Sequence, residues 1–363
     1  MERTNAYSLL DFLDNSPCNF FATATIQRYL DDNGFQELKQ SERWNLEKGG
    51  KYYVKKNDTA IFGFVIGETP LDQSGFNMIS AHSDSPCFRI KPNPEMLADG
   101  VLKLNTEVYG GPILYTWFDR PLSLAGRVIV RNPQNPARPI TKLIDFASPV
   151  LIIPHLAIHF NRNVNAGNPL SKQKDMLPIA AIVSDSMSKN NFLIDQIKER
   201  LEIADSKDIL DFDLMLYNCQ KSQLVGFNKE FICSGRIDDL SMAHAALSAL
   251  LNSDNPATTK VMAIFDNEET GSGTKQGAAS PVLASILHRV STCMGLDDEG
   301  FYQALSRSFL VSADNAHAAH PNYPEKYDPT NHPKMGGGPV IKINANCKYM
   351  TDAHSSAIFK EVC

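Results

Sequence analysis

Residues 76–86 read FNMISAHSDSP, an apolar run that stops at a His-Ser-Asp-Ser-Pro segment. The same arrangement recurs at residues 260–269, KVMAIFDNEE, and at residues 309–317, FLVSADNAH. Each apolar run has the length of a buried β-strand, and each is followed by polar residues. Because ligands lie outside the carboxyl ends of strands in open α/β sheets, these runs predict an α/β domain with one polar crevice.

The pattern of helix-like and strand-like segments around these runs indicates that the chain has three parts. Residues 1–94 and 233–363 alternate helix-like and strand-like segments, including a short apolar run at 339–343. Residues 95–232 contain many short β-type runs, such as 113–118, and one helical pattern at about 191–203. A chain of 363 residues exceeds the roughly 250–300 residues at which one core stops growing. We therefore expect an α/β domain built from both ends of the chain, with a β-rich insertion between them.

Composition and charge narrow the class of partner. The net charge of −6 is spread along the chain without a Lys/Arg-rich stripe, so nucleic acid has little electrostatic support as a partner. The longest apolar stretch, at about 149–160, is broken by proline and histidine and is too short to span a bilayer. Residues 1–16 carry acids where a signal peptide needs bases. The seven cysteines have irregular spacing and no CxxC pair, so we expect free thiols and a cytoplasmic protein.

Four segments far apart in sequence supply candidate site residues, namely His82, Asp84, Asp238, Glu268, Glu269 and Asp314. A mixture of imidazole and carboxylate groups suits zinc and similar cations. Each segment also has an ordinary interpretation: a His-x-Asp pair in a loop, an Asp-Asp cap before a helix, or a solvated Glu-Glu turn. The occurrence of all four segments at one predicted crevice favours a metal site over these separate interpretations.

Seven motifs resemble those of the M18 family of metallo-aminopeptidases, in the family's order and over nearly the whole chain. They are residues 81–86 AHSDSP, 117–120 WFDR, 153–159 IPHLAIH, 236–239 RIDD, 266–269 DNEE, 312–317 SADNAH and 320–326 HPNYPEK. The resemblance implies a zinc-peptidase-like α/β/α catalytic domain made of residues 1–94 and 233–363. It implies that the β-rich insertion, residues 95–232, is a dimerisation domain, and that dimers assemble into a dodecamer.

The resemblance also implies a zinc-dependent aminopeptidase that removes the first residue of peptides. Asp238 would bridge two zinc ions. His82 and Asp314 would complete one metal site, and Glu269 would bind the other ion. Metal-bound water has a pKa of about 7, which suits attack on a peptide bond near neutral pH.

Three further residues receive catalytic roles from the resemblance. Glu268 would be the general base that takes the proton of the attacking water. Asp84 would orient His82 from behind, as ligating imidazoles generally require. His159, from the insertion, would reach the active site of a neighbouring subunit and stabilise the oxyanion. The alternative for His159 is a buried histidine within the apolar run 156–160.

The sequence departs from the family pattern at its carboxyl end. Family chains continue past the segment that matches residues 358–361 and add a final histidine that ligates the second metal, whereas this sequence ends at Cys363. We therefore expect one complete metal site and one partial site. The alternative function is a truncated, inactive subunit that acts only in assembly. A serine or cysteine hydrolase is poorly supported, because the sequence has no Gly-x-Ser-x-Gly elbow.

A second departure concerns substrate preference. Family members specific for acidic residues carry a lysine just before the Gly-Pro pair that here is Gly338-Pro339, and this sequence has Gly337 there. The nearby Lys334 does not match the position of that lysine. Without a cation at this position, recognition of an Asp or Glu side chain is weakened. We therefore expect a broad or neutral preference.

Overall fold

The computed structural model describes residues 2–184, 190–254 and 256–363. The chain divides into two compact units, Met1–Asp314 and Asn315–Cys363. Helix α8 lies in the second unit and the other helices lie in the first. The α-helices of the described residues are α1 (Glu2–Asp14), α2 (Asn19–Asp32), α3 (Leu71–Ser74), α4 (Phe192–Arg200), α5 (Ile237–Asn252), α6 (Val282–Cys293), α7 (Asp298–Ser306) and α8 (Ala353–Val362). None of the described helices is long and apolar enough to cross a membrane.

The strands of the first unit form two large sheets and one small one. In chain order they are β1 (Gln36–Glu37), β2 (Lys51–Lys56), β3 (Ala60–Val65), β4 (Phe76–His82), β5 (Cys87–Ala98), β6 (Val101–Tyr109), β7 (Leu122–Val130), β8 (Ile140–Asp145), β9 (Ile179–Ile182), β10 (Ile209–Asn218), β11 (Gln223–Val225), β12 (Phe231–Cys233), β13 (Thr259–Phe265) and β14 (Phe309–Ser312). The first sheet has the order β1-β2-β3-β13-β4-β14, the second has the order β8-β7-β10-β5-β6-β9, and β11 pairs with β12.

The first sheet is covered by helices on both faces. Successive side chains of a strand point to opposite faces, and β13 displays this alternation. Val261, Ala263 and Phe265 pack with residues of α6 and α7, whereas Met262 and Ile264 pack with residues of α1, α2 and α5. The fold is therefore the α/β/α arrangement expected from the sequence.

Parallel pairing aligns three strand ends at one edge of this sheet. Strand β4 lies between β13 and β14 and is parallel to both. Its last residue, His82, is paired with Phe265, and Ser80 is paired with Ser312. The polar segments after these strands consequently begin at the same edge, which agrees with the predicted crevice.

The second sheet is antiparallel throughout and carries helix α4 on its core side. Leu193 and Ile197 of α4 pack into the same apolar cluster as Phe88, Leu124 and Leu214 of the sheet. The helical pattern expected at 191–203 is thus confirmed. Apart from the start of β5 at Cys87, all strands of this sheet lie within residues 95–232. The assignment of 95–232 as a separate domain, between the parts 1–94 and 233–363, stays a prediction.

Candidate metal centre

The structure brings five of the seven predicted site residues into two overlapping groups of possible metal ligands. Within each group, one ligand atom of every residue lies within 4.8 Å of the corresponding atoms of the others. His82 belongs to both groups. The first group is His82, Asp238, Asp239 and Asp314, and the second is His82, Glu268 and Glu269.

The imidazole of His82 lies at the centre of this arrangement and is buried, with 4% exposure. Its Nε2 atom lies 3.5 Å from Asp238 Oδ1 and 3.8 Å from Glu268 Oε2. Two ligand atoms bound at about 2.0–2.2 Å to one tetrahedral zinc ion are about 3.3–3.6 Å apart. The distance between His82 and Asp238 therefore has the size that a shared zinc ion requires.

Asp238 owes its position to the segment that precedes helix α5. Arg236 has a left-handed backbone, with φ of 60°, and its half-buried guanidinium donates to the carbonyls of Ser16 and Leu13 near the end of α1. Ser85, in the loop after β4, donates to the backbone carbonyl of Asp238 at 2.8 Å. These bonds fix the start of α5 against both α1 and the loop that follows His82.

Asp239 is the member of the first group to which the sequence assigned no role. Its side chain is fully buried, and its Oδ2 atom accepts a hydrogen bond from the backbone N–H of His82 at 3.2 Å. Its Oδ1 atom is buried and has no hydrogen-bond partner among the described residues. A buried carboxylate oxygen without a partner is costly, and a cation would compensate it. The second acid of the Asp238-Asp239 pair was the available signal for this residue.

Asp84 connects His82 with the segment that carries both glutamates. The Nδ1 atom of His82 lies 3.3 Å from Asp84 Oδ1 and 3.0 Å from the Asp84 carbonyl oxygen. The backbone N–H groups of Glu268 and Glu269 donate to Asp84 Oδ1 and Oδ2, each at 3.2 Å. The carboxylate also accepts a hydrogen bond from the hydroxyl of Tyr109 at 2.6 Å. Asp84 therefore contacts the residues of the second ligand group from behind.

The loop after β13 is held by a second polar residue, Asn267. Its backbone is left-handed, with φ of 63°, and it precedes the 3₁₀ helix Glu268–Thr270. The Oδ1 atom of Asn267 accepts hydrogen bonds from Thr274 at 2.8 Å and from Gln276 at 2.9 Å. Its Nδ2 atom donates to the Tyr109 hydroxyl at 2.8 Å. Neither Tyr109 nor Asn267 was assigned a role from the sequence, because the two partners are 158 residues apart along the chain.

The electrostatics of the site are those of crowded carboxylates around one imidazole. Burial disfavours the imidazolium, but hydrogen bonds to Asp238 and Asp84 outweigh burial and raise the pKa of His82 to about 11. Burial raises the pKa of Asp239 to about 8 and that of Glu269 to about 7. Neighbouring carboxylates add to both increases. A divalent cation would relieve this repulsion, so the donor set fits zinc.

His159 lies outside both ligand groups. It is exposed and belongs to the 3₁₀ helix Ile158–Phe160. The alternative of a buried histidine in the run 156–160 is therefore wrong for this chain. Its role toward a neighbouring subunit stays a prediction.

Comparison with known proteins gives the same answer over nearly the whole chain. The family model described as aminopeptidase I zinc metalloprotease (M18) matches residues 12–363. A probable M18 family aminopeptidase 2 of Clostridium novyi is 51% identical over 359 residues, which cover 99% of this chain and 82% of that protein. The structure of mApe1 of Chaetomium thermophilum has a TM-score of 0.85 at 31% identity, covering 97% of this chain and 82% of that one.

A further solved structure, of the Ape4 and Nbr1 complex, has a TM-score of 0.93 at 35% identity and covers 99% of this chain and 72% of the matched one. The fold, the sequence and the cluster of possible metal ligands therefore agree with one enzyme family. The chain belongs to the M18 family of zinc metallo-aminopeptidases, a class of hydrolases.

Proposed function

We propose that the chain removes the N-terminal residue of peptides at a centre of two zinc ions, with Glu268 as the general base. The observation that carries the proposal is that His82 is shared by two ligand groups, one of which contains Asp238 and the other Glu268 and Glu269. When bound, the zinc ions polarise the scissile carbonyl and lower the pKa of water towards about 7.

The proposed ligand set is the one that the resemblance to the M18 family implies, and the two groups contain all of its members. His82 and Asp314 would hold one ion, Glu269 would hold the other, and Asp238 would be a ligand of both. Asp239 is not in the set that the resemblance implies, and its Oδ2 atom accepts a hydrogen bond from the N–H group of His82.

Glu268 is suited to the proton transfer by its position. Its side chain is 53% exposed, so peptide and water can reach it, and its Oε2 atom lies 3.8 Å from His82 Nε2. Its backbone is fixed by Asp84, which limits the volume that the carboxylate explores. Glu268 would take the proton of the attacking water and deliver it to the leaving amine.

Separate variants of the two glutamates test these roles. We expect Glu268→Gln to lower kcat by about 10²- to 10⁴-fold while zinc content is retained. Glu269→Gln should instead reduce zinc content, measured by metal analysis after dialysis. Glu299→Gln, on the exposed surface of α7, is the matched control. Equal loss of zinc from both active-site variants would contradict the division of roles. Two tightly held zinc ions in the unmodified chain would support the enzyme over an assembly-only subunit.

The proposal includes a broad or neutral residue preference, because Gly337 stands where members specific for acidic residues carry lysine. Initial rates on Asp-, Glu- and Leu-nitroanilides measure this preference directly. Comparable or higher rates on the Leu substrate are expected. A strong excess for the Asp substrate would refute it.

Self-association through the second sheet, up to a dodecamer built from dimers, also belongs to the proposal. Its support is exposed apolar surface in residues 95–232: Phe160 and Ile182 are each 80% exposed, and Ile113 is 71% exposed. Such surface is costly in water and is typical of contacts between subunits. In an assembly, the exposed His159 would face the active site of a neighbouring chain. Sedimentation of the unmodified protein and of Phe160→Ser would test the contact, and an unchanged oligomer would exclude Phe160 from it.

We place the protein in the cytoplasm as part of the same proposal. All seven cysteines are free, and free thiols are typical of a reducing compartment.

A further inference from the structure

We propose that Tyr109 is a positioning residue of the metal centre. Its hydroxyl group holds the centre in place through hydrogen bonds to Asp84 and Asn267. The inference rests on the proposed function, since it concerns the geometry of that same site. It assigns the second sheet a direct part in holding the ligands, in addition to self-association.

Strand pairing places Tyr109 beside the loop that follows His82. Tyr109 is the last residue of β6, and its partner across the sheet is Cys87, the first residue of β5. Only residues 83–86 separate Cys87 from the end of β4. The ring is 8% exposed and packs in an apolar cluster with Cys18, Phe20 and Met215. This packing fixes the direction in which the hydroxyl points.

The Tyr109 hydroxyl forms two hydrogen bonds, and both lead to the centre. It donates to Asp84 Oδ2 at 2.6 Å and accepts from Asn267 Nδ2 at 2.8 Å. Asp84 in turn receives the backbone N–H groups of Glu268 and Glu269. The one hydroxyl therefore holds the turn that carries the base and a ligand at two points: directly at Asn267, and through Asp84 at Glu268 and Glu269.

Asp84 depends on these donors because it is buried, with 2% exposure. Its oxygens are satisfied by the Tyr109 hydroxyl and by the backbone N–H groups of Glu268 and Glu269. Loss of the hydroxyl would remove one hydrogen-bond donor from the buried carboxylate of Asp84. It would also remove one acceptor from the side-chain amide of Asn267. Asp84 would then be free to turn toward other donors, and the imidazole of His82 would lose its fixed orientation.

The residue after Tyr109 is a glycine that lies close to Glu269. Gly110 has φ of +69°, and a Cβ atom placed on it would lie 3.1 Å from Cβ of Glu269. The carboxyl end of β6 therefore bears on Glu269 in two ways: Tyr109 acts on its backbone through Asp84, and the absence of a side chain at Gly110 leaves room for its side chain.

The test compares Tyr109→Phe with Tyr217→Phe in the full chain. Tyr217 lies in the same sheet, and its hydroxyl likewise donates to a carboxylate, that of Asp145, at 2.7 Å. Both variants keep the ring and lose one hydroxyl–carboxylate bond. Zinc is titrated into the metal-free proteins in competition with a chelator, and urea unfolding of the metal-free proteins is followed in parallel.

We expect Tyr109→Phe to weaken zinc binding about 10- to 100-fold, the usual effect of losing a residue that orients a ligand. Tyr217→Phe should bind zinc within about twofold of the unmodified chain at a comparable loss of stability. In an Asp84→Asn background, the effect of Tyr109→Phe on zinc affinity should shrink, because both changes act through one carboxylate.

Two results would overturn the inference. One is zinc affinity of Tyr109→Phe equal to that of Tyr217→Phe, and the other is a Tyr109→Phe chain that fails to fold while Tyr217→Phe folds. Failure of the proposed function has a different signature. The unmodified chain would then bind zinc no more tightly than His82→Ala.

Discussion

Substitution of Gly110 by alanine probes the contact between β6 and Glu269 with a single methyl group. Both Gly110 and Gly100 have left-handed backbones, with φ of +69° and +80°. Alanine in that conformation costs about 1–2 kcal/mol at either position. At Gly100 the added Cβ meets nothing within 4 Å, whereas at Gly110 it lies 3.1 Å from Cβ and 3.5 Å from Oε2 of Glu269. Gly100→Ala therefore controls for backbone strain.

The size of the effect follows from the shortage of space. Carbon atoms pack best at about 3.5–4.0 Å, so Cβ of Glu269 must move by about 0.4–0.9 Å. A displacement of about 1 Å at a catalytic group costs on the order of 10²-fold in rate. We expect kcat/KM of Gly110→Ala to fall about 10- to 100-fold. Gly100→Ala should stay within about threefold, because its methyl group meets no neighbour.

The assay combines hydrolysis of a Leu-nitroanilide with urea unfolding of the same preparations. Similar losses of unfolding free energy with different losses of kcat/KM are the expected result. If the two variants lose activity equally, strain in the β5–β6 hairpin explains the effect. If Gly110→Ala keeps full activity, the support of Glu269 by β6 is refuted.

Two other predictions follow from the site and the core. Removal of zinc by a chelator should lower the urea concentration at the midpoint of unfolding. The reason is that a ligand at about 100 times its Kd stabilises the folded state by about 2.7 kcal/mol. An unchanged midpoint would argue against a preformed site. Leu247→Ala, in the core between α5 and the first sheet, should cost about 2–5 kcal/mol of unfolding free energy. Leu97→Ala, at an exposed position, should cost under about 1 kcal/mol. Equal losses of the two variants in urea unfolding would contradict this burial argument.

The strands that carry the site were predictable because burial on both faces leaves a compact apolar run. The runs expected at 76–81, 260–265 and 309–312 agree with β4, β13 and β14 to within one residue at each end. Polar residues directly after such runs belong to one edge when the strands are parallel. This rule alone was enough to group His82 with Glu268 and Asp314.

Other parts of the fold were not predictable from local pattern. The run 113–118 was expected as a strand, but residues Leu114–Trp117 form a 3₁₀ helix. Leu114 and Trp117 both pack against the second core, and a spacing of three residues places them on one side of such a helix. The run 339–343 forms no strand in the structure. Its apolar Val340 and Ile343 are 40% and 71% exposed, so burial does not stabilise a strand there.

The residues that hold the candidate ligands in place could not be predicted from the sequence, for a different reason. Tyr109 and Asn267 are 158 residues apart, and each looks ordinary in its own segment. Only the pairing of Tyr109 with Cys87 brings its hydroxyl to Asp84. Residues that hold ligands in place depend on tertiary structure, whereas the ligands themselves follow the strand ends.

The spread of the first ligand group along the chain sets the order of events during synthesis. His82, Asp238 and Asp314 belong to segments that leave the ribosome at different times, and strand β14 must join β4 before Asp314 reaches the others. The first sheet therefore has to form before the complete first ligand group can capture a metal ion. A growing chain that stops before β14 would expose His82 and its acidic neighbours without the complete first ligand group. Such a chain would be a substrate for chaperones.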